Sequence, residues 1–354
     1  LYAKSAHRNW EDPSEMSASA ILAGCEDIAA QLINYETYLE QRFAAADSNG
    51  IEVVLGGGLR HFLPALVNTE ALDANSVING QRSDNRNLVS EWQSAYPQGL
   101  YVDNLRDFNH RVSDKTERLL GLFNSSHLRY HTDREQKQAS EPSLSDMTSK
   151  AIAILDNNPK GYFLMVEAGR IDHAHHAGNA YNALEDTIEL SRAVKVAIDS
   201  TDATDTLIIV TADHGHVFTM AGYPKRGNPI LGKVVSVGDS EPTLAADNQP
   251  YTTLSYANGR GHRHLDSETN ADAGYLLDIA AGRHDLSAID TTVPGFYQEA
   301  LVPNDSETHS GEDVPIYATG PGSHLITGSN EQTIIFHAIN HAADLVRKAH
   351  AALK

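Results

Sequence analysis

A chain of 354 residues, 41% hydrophobic and 21% charged, is near the averages of soluble globular proteins and long enough to bury a large core. Its 27 basic against 47 acidic residues give a net charge of -20, which argues against a nucleic-acid backbone as partner and requires any anion site to be made locally positive, as bound divalent metals do. No apolar run reaches the roughly 18 residues of a membrane helix, and a single cysteine, Cys25, excludes an internal disulfide framework or a cysteine-rich zinc site.

Near the start, HRNWED contains Arg8, whose guanidinium can fork onto two phosphate oxygens; taken alone, it reads more simply as a surface arginine with a solvated neighbour. Residues 18 to 43 place Ile21, Leu22, Cys25, Ile28, Ala29, Leu32 and Ile33 at three-and-four spacing, the stripe of a helix facing a core. IEVVL (51 to 55) reads as a buried strand, and the GGG that follows lacks the spacing of the nucleotide-binding fingerprints, so it reads as a tight turn with close backbone packing. Ser143 or Ser145 can cap a helix running to about residue 157.

YFLMVE (162 to 167) reads as the next strand, a helix spans about 178 to 199 with Leu184, Ile188, Ala193 and Ile198 inward, and TLIIVTA (206 to 212) is a further strand. The stretch from 222 to 305 is rich in Gly, Pro, Asn, Asp and His, breaks this rhythm, and reads as an insertion. VPIYATG (314 to 320) restores a strand, and 331 to 353 carries a second stripe of Ile334, Ile335, Ala338, Ile339 and Ala342. Strands alternating with helices predict an α/β fold with a mainly parallel central sheet sandwiched by helices.

Chemistry concentrates at the strand ends. VEAGRIDHAHH (166 to 176) offers Glu167 and then Asp172, His173, His175 and His176 within five residues. Asp172 and His176 are four apart, so a helical turn puts them on one face, where both reach a single ion, and Glu167 suits a harder ion such as magnesium. TLIIVTADHGH sets Asp213, His214 and His216 just past a buried strand, where open α/β sheets bind ligands. ETHSGEDV adds His309, more than 140 residues after Glu167. Nitrogen and oxygen ligands without thiolates fit catalytic zinc, and two such ions a few ångström apart form a clamp for phosphoryl transfer.

VEAGRIDHAHH, VTADHGH and THSGEDV, in this order and with these gaps, resemble the metal-binding segments of the alkaline phosphatases. GCEDIAAQL, VVLGGGLRHFLP, LLGLF, PSLSDMTSKAIAIL, GYPKRGNPILG and YTTLSYANG extend the likeness over nearly the whole chain, closest to the animal-type branch. The resemblance implies two zinc ions and one magnesium ion: Asp172, His176 and His309 on the first zinc, Asp213 and His214 on the second, and Glu167 on magnesium. It further implies that Arg8 binds substrate phosphate and that His173 and His216 support the ligands from behind.

Hydrolysis of phosphate monoesters through a phosphoserine intermediate, a homodimer, and a periplasmic or extracellular location are what the resemblance implies for the full-length protein. It makes residues 1 to 354 a single domain with 222 to 305 as a crown near the dimer interface. The family's Asp-Ser-Ala-type nucleophile segment lies upstream of the matched part and is not found here, so the expectation is a chain that lacks its nucleophile and turns over weakly or not at all. Asn124 stands where the animal enzymes place an acidic calcium ligand after LLGLF, so calcium is not expected. Two alternatives stand beside this reading: another hydrolase of the same superfamily, acting on diesters or sulfates, and a noncatalytic binder of zinc or phosphate.

Overall fold

The structure is a computed structural model that describes residues 28–37, 50–65, 68–69 and 78–352. Arg8, Cys25 and most of the first predicted helix lie outside the described residues. The described part of that helix, 28 to 37, is helical apart from a turn at Asn34 and buries Ala29 and Ile33, two residues of the predicted stripe. The chain divides into two compact units, one of residues 1–128, 140–165 and 343–354 and one of 129–139 and 166–342.

The first unit is built on a three-stranded parallel sheet in which Leu119–Leu122 lies between Val53–Gly56 and Leu100–Val102. Every residue of the central strand is buried, as expected where helices cover both faces of parallel strands. Leu120 and Leu122 pack with Leu88 and Trp92 of helix Leu88–Ala95, while Leu119 packs with Phe108 and Phe123, whose rings meet edge to face at 5.5 Å. The glycine turn after the first strand is as tight as predicted: Gly57 lies so close to Ser126 that a Cβ there would stand 2.1 Å from its carbonyl oxygen, and Gly58 turns at φ +80°. Ser143, not Ser145, caps helix Leu144–Leu155 in a reciprocal box with Asp146, each side chain engaging the other's backbone N–H.

The second unit contains helices His131–Gln136, Arg170–Ala177 and Ala180–Ser200, the last capped by Asn179. Strand Ile208–Thr211 pairs antiparallel with Ile316–Thr319. A second sheet sets Leu254–Gly259 between Ala300–Pro303, to which it runs parallel, and Phe218–Met220, to which it runs antiparallel. The stretch 222 to 305 lies wholly within this unit and supplies two of those three strands.

Several elements differ from expectation. The fold is α/β, but among the described strands parallel ladders are those of the first unit's sheet and the Ala300–Pro303 pair, and the remaining described ladders are antiparallel. YFLMVE forms no ladder among the described residues and leaves Phe163 and Met165 exposed; an apolar run becomes a strand only where a neighbouring strand completes its backbone hydrogen bonds. Helix Ala180–Ser200 buries Ala193 as predicted but also Asn182 and Glu189, and it exposes Ile188 and Ile198. The predicted helix 331 to 353 is two helices, Ile334–Ala343 and Leu345–Ala352, broken at Asp344, whose φ of 53° is left-handed and interrupts the ladder.

Candidate metal centre

Helix Arg170–Ala177 is short and polar, and it is held by its two small residues: Ala174 and Ala177 are fully buried, packed with Ala183 of the next helix. Gly178 ends it in the left-handed conformation that a residue with a side chain adopts only at a cost. With the alanines inward, Asp172 and His176 share another face, as the four-residue spacing requires, and His176 Nε2 lies 3.3 Å from Asp172 Oδ1.

Two short strands bring in the distant histidines. Gly215–His216 and His309–Ser310 pair antiparallel with His216 opposite His309, a register that joins the second and third predicted segments. Asp172 Oδ1 then lies 3.1 Å from His216 Nε2, 3.3 Å from His309 Nε2 and 3.8 Å from His214 Nε2. Four imidazole nitrogens thus surround one carboxylate oxygen, which is buried and makes no hydrogen bond. The rings crowd one another as well: His214 stacks on His309 with centroids 3.5 Å apart, and His176 Nε2 is 3.1 Å from His309 Nε2.

Glu307 shapes the far side of this cluster. Its side chain is fully buried and accepts hydrogen bonds from His216 Nδ1 at 2.7 Å and from the Val217 backbone N–H at 2.8 Å. Its carbonyl oxygen accepts from His176 Nδ1 at 2.6 Å. Burial works against a charged His216, but the bond to Glu307 and the charges of Glu307 and Asp172 outweigh it and raise its pKa above the usual histidine value. His175, on the same helix, goes the other way: burial lowers its pKa to about 3, so it stays neutral, stacked on His216 and bonded through Nδ1 to the Tyr256 hydroxyl.

The ligand atoms of Asp172, His214, His216 and His309 lie within 4.8 Å of one another, as do those of His176, His216 and Glu307. A buried carboxylate oxygen without a hydrogen bond, faced by four imidazole nitrogens, three of whose rings (His176, His214 and His216) are bonded elsewhere through Nδ1, is a set that a divalent cation satisfies. The residues fit a zinc-type ion.

Not every predicted residue joins this cluster. Asp213 is 88% exposed, with Oδ2 3.4 Å from His214 Nε2. Glu167 is exposed and stands outside both ligand groups. His173 instead contacts Arg170 Nη1 at 2.8 Å. That guanidinium lies 3.6 Å over the Tyr130 ring and 2.9 Å from Asp272, which also accepts the Tyr130 hydroxyl at 2.7 Å. Burial raises the Asp272 pKa, yet Tyr130 and Arg170 prevail and hold it below the ordinary value.

Sequence reasoning missed Glu307 and Tyr256. One signal for Glu307 existed: it stands two residues before His309, and alternate residues of extended chain share a face. Tyr256 gave none, because a tyrosine in an apolar strand reads as core.

Fold and site together define an α/β protein with a histidine-rich cluster, organised around one carboxylate, that could hold a metal ion. The model of the family described as alkaline phosphatase matches residues 1–345. The tissue-nonspecific alkaline phosphatase of Gallus gallus is 38% identical over 345 residues, 97% of this chain and 60% of that protein. The alkaline phosphatase of Gadus morhua is 37% identical over 344 residues, 97% of this chain and 65% of that protein. The crystal structure of Thermus thermophilus alkaline phosphatase shares the fold, with a TM-score of 0.57 at 20% identity over 93% of this chain and 68% of that one. The chain belongs to the alkaline phosphatase family, and it spans about 60% of the length of the first of these curated relatives.

Proposed function

We propose that the protein to which these residues belong hydrolyses phosphate monoesters at a centre of two zinc ions and one magnesium ion. The observation that carries the reading is the buried, unbonded Oδ1 of Asp172 with four imidazole Nε2 atoms around it. In this reading Asp172, His176 and His309 hold the first zinc, Asp213 and His214 the second, and Glu167 the magnesium. Arg8 takes two phosphate oxygens in a bidentate fork.

When bound, such ions neutralise phosphoryl charge and acidify water. The chain's own residues supply the rest. Asp172, His176, His216 and His309 converge from one helix and two paired strands, so these side chains are gathered before any ion arrives, while Asp213 and Glu167 stand outside the cluster. His175, neutral and buried, fills the space behind His216 and keeps water from that face. The proposed protein is a homodimer, with 222 to 305 as a crown near its interface, in a periplasmic or extracellular setting. No described helix is long and apolar enough to cross a membrane.

The 354-residue chain and a version extended upstream of Leu1 are to be loaded with zinc and magnesium, analysed for metal, titrated with inorganic phosphate, and assayed on nitrophenyl phosphate, a diester and a sulfate ester. Metal and phosphate bind both forms, and the extended form cleaves the monoester far faster than the others while the shorter one is slow or inactive. Ordinary turnover by residues 1 to 354 would sink the missing nucleophile, and a preference for diester or sulfate would move the protein to another branch of the superfamily. Phosphate binding without turnover in the extended form would leave a noncatalytic binder.

A further inference from the structure

Helix Arg170–Ala177 carries Asp172 and His176, yet little of its own sequence holds it in place. Its eight residues are too few for a helix to stand alone in water, and Gly169 brings no side chain to cap its N-terminus. Its buried residues are Ala174 and Ala177, which pack with Tyr130, Ala183, Ala271 and Tyr297. Methyl groups so short give poor leverage against rotation about the helix axis. A rotation would swing Asp172 and His176 away from the strands they meet.

Arg170 supplies the lever. It precedes Ala174 by four residues and Ala177 by seven, so it continues the anchored face, while Asp172 and His176 lie on the opposite side. A cation in the first turn faces the positive end of the helix dipole and is unfavourable there unless an anion answers it. Asp272 does so, with Oδ2 2.9 Å from Arg170 Nη2. The other carboxylate oxygen accepts the Tyr130 hydroxyl at 2.7 Å, and the Tyr130 ring lies 3.6 Å from the guanidinium, face on. Arg170 Nη1 also donates to His173 Nδ1 at 2.8 Å. The anchor is itself fixed: Tyr130 is fully buried, the Asn270 side chain accepts the Asp272 N–H at 3.0 Å, and the buried Tyr297 donates its hydroxyl to the Ala271 carbonyl at 2.8 Å.

We infer that Asp272 and Arg170 are positioning residues: their ion pair, seated on Tyr130, fixes the rotation of the Arg170–Ala177 helix and with it the places of Asp172 and His176. The inference rests on the metal reading above, in which neither residue touches an ion. Arginine suits the task and lysine does not, because a flat guanidinium lies on a ring while donating to a carboxylate and an imidazole, whereas an ammonium is a compact point charge. Asp272 comes from the stretch 222 to 305, so that stretch helps to shape a centre to which it gives none of the proposed ligands. A neighbouring ion pair is the control. Lys137 lies 3.1 Å from Glu268 and 2.7 Å from Asp133, joining the same two segments through no residue of the helix.

The test titrates the full chain with zinc against a chelator and measures amide hydrogen exchange across residues 170 to 177 in the metal-free protein. Asp272→Asn and Arg170→Lys each lower zinc affinity roughly 3- to 10-fold, short of the 10- to 100-fold typical of groups bonded directly to ligands, and each speeds exchange of the helix amides. Asp272→Glu keeps both readings near wild type, since a side chain 45% exposed leaves room for a longer carboxylate. The double variant Asp272→Asn with Arg170→Lys loses no more than the larger single loss, because the two act as a unit. Glu268→Gln leaves zinc affinity and helix exchange unchanged. Zinc affinity within about twofold of wild type in Asp272→Asn, losses that multiply in the double variant, or an equal loss in Glu268→Gln overturns the assignment. If Arg170→Lys does not fold, the contrast between Asp272→Asn and Asp272→Glu still decides. A wild-type chain that binds no zinc removes the metal reading, and helix exchange then decides the brace alone: exchange unchanged in Asp272→Asn overturns it.

Discussion

In the first unit, strand Leu119–Leu122 buries all of its residues against other apolar side chains, among them Leu88, Trp92, Phe108 and Phe123. In the second, helix Arg170–Ala177 buries only two alanines and directs its charged and aromatic nitrogen-bearing side chains at one another and at the paired strands Gly215–His216 and His309–Ser310. The same chain thus closes one region with area removed from water and the other with polar groups that satisfy each other only in part. Apolar burial is non-directional and favourable wherever it occurs. A cluster of imidazoles around a bare carboxylate is costly by itself, persists because the surrounding structure holds it, and is relieved by a cation.

The comparison breaks if the two regions respond alike to change. The largest effect is expected at Leu120→Ala, which empties space beside Leu88 and Trp92 and should lower unfolding free energy by about 2–5 kcal/mol, measured in denaturant, with zinc affinity unaltered. A zinc affinity that falls with it would mean the core and the centre are not separable in energy. Asp172→Ala should do the reverse. It removes the oxygen that four imidazoles face, and chelator competition should show a loss of at least about 100-fold, beyond the usual cost of an orienting residue. The metal-free variant should be no less stable than the metal-free wild type.

A smaller effect depends on pH. Burial pushes Asp186 up to about 7 from 3.8, and it accepts from the His131 backbone N–H, with Arg170, Glu189 and Arg134 near enough to act on it. Between those two values the folded state holds a proton that the unfolded chain has released, so stability falls as pH rises through the window. Asp186→Asn should flatten that slope and leave the protein about 1–3 kcal/mol more stable than wild type above it, by the linkage of roughly 1.4 kcal/mol per pKa unit with allowance for partial exposure. Parallel denaturation curves for the two proteins at acid and alkaline pH decide it, and equal slopes refute it. The smallest change is at Ser143→Ala, where loss of the cap on helix Leu144–Leu155 should cost about 1 kcal/mol. Thermal melts should show a drop of that size in the first unit's stability and an unaltered zinc titration.

Much of the centre was legible before any fold was known. Asp172 and His176 four apart, and histidines just beyond the strand TLIIVTA, point by residue type and spacing to the cluster that the structure gathers. The glycine turn, a helix cap at Ser143 or Ser145 and three of four predicted strands follow from local rules that depend on neighbours a few residues away; the structure alone chooses Ser143. YFLMVE misled because an apolar run states that a segment wants burial and cannot state that a partner strand is beside it. Ile188 and Ile198 misled in the same way, since periodicity gives a stripe and not what covers it.

The sequence alone therefore determined which side chains stand near one another locally: residue types and short spacings are local, and a carboxylate and histidines at ligand spacing are visible in them. Only the tertiary structure decided how those residues are held. His216 meets His309 through a strand register set 93 residues apart, and Glu307 joins two rings because antiparallel pairing and a helix end happen to converge on it. Contacts between distant segments depend on packing that no short motif contains, and the orientation of each imidazole is set there.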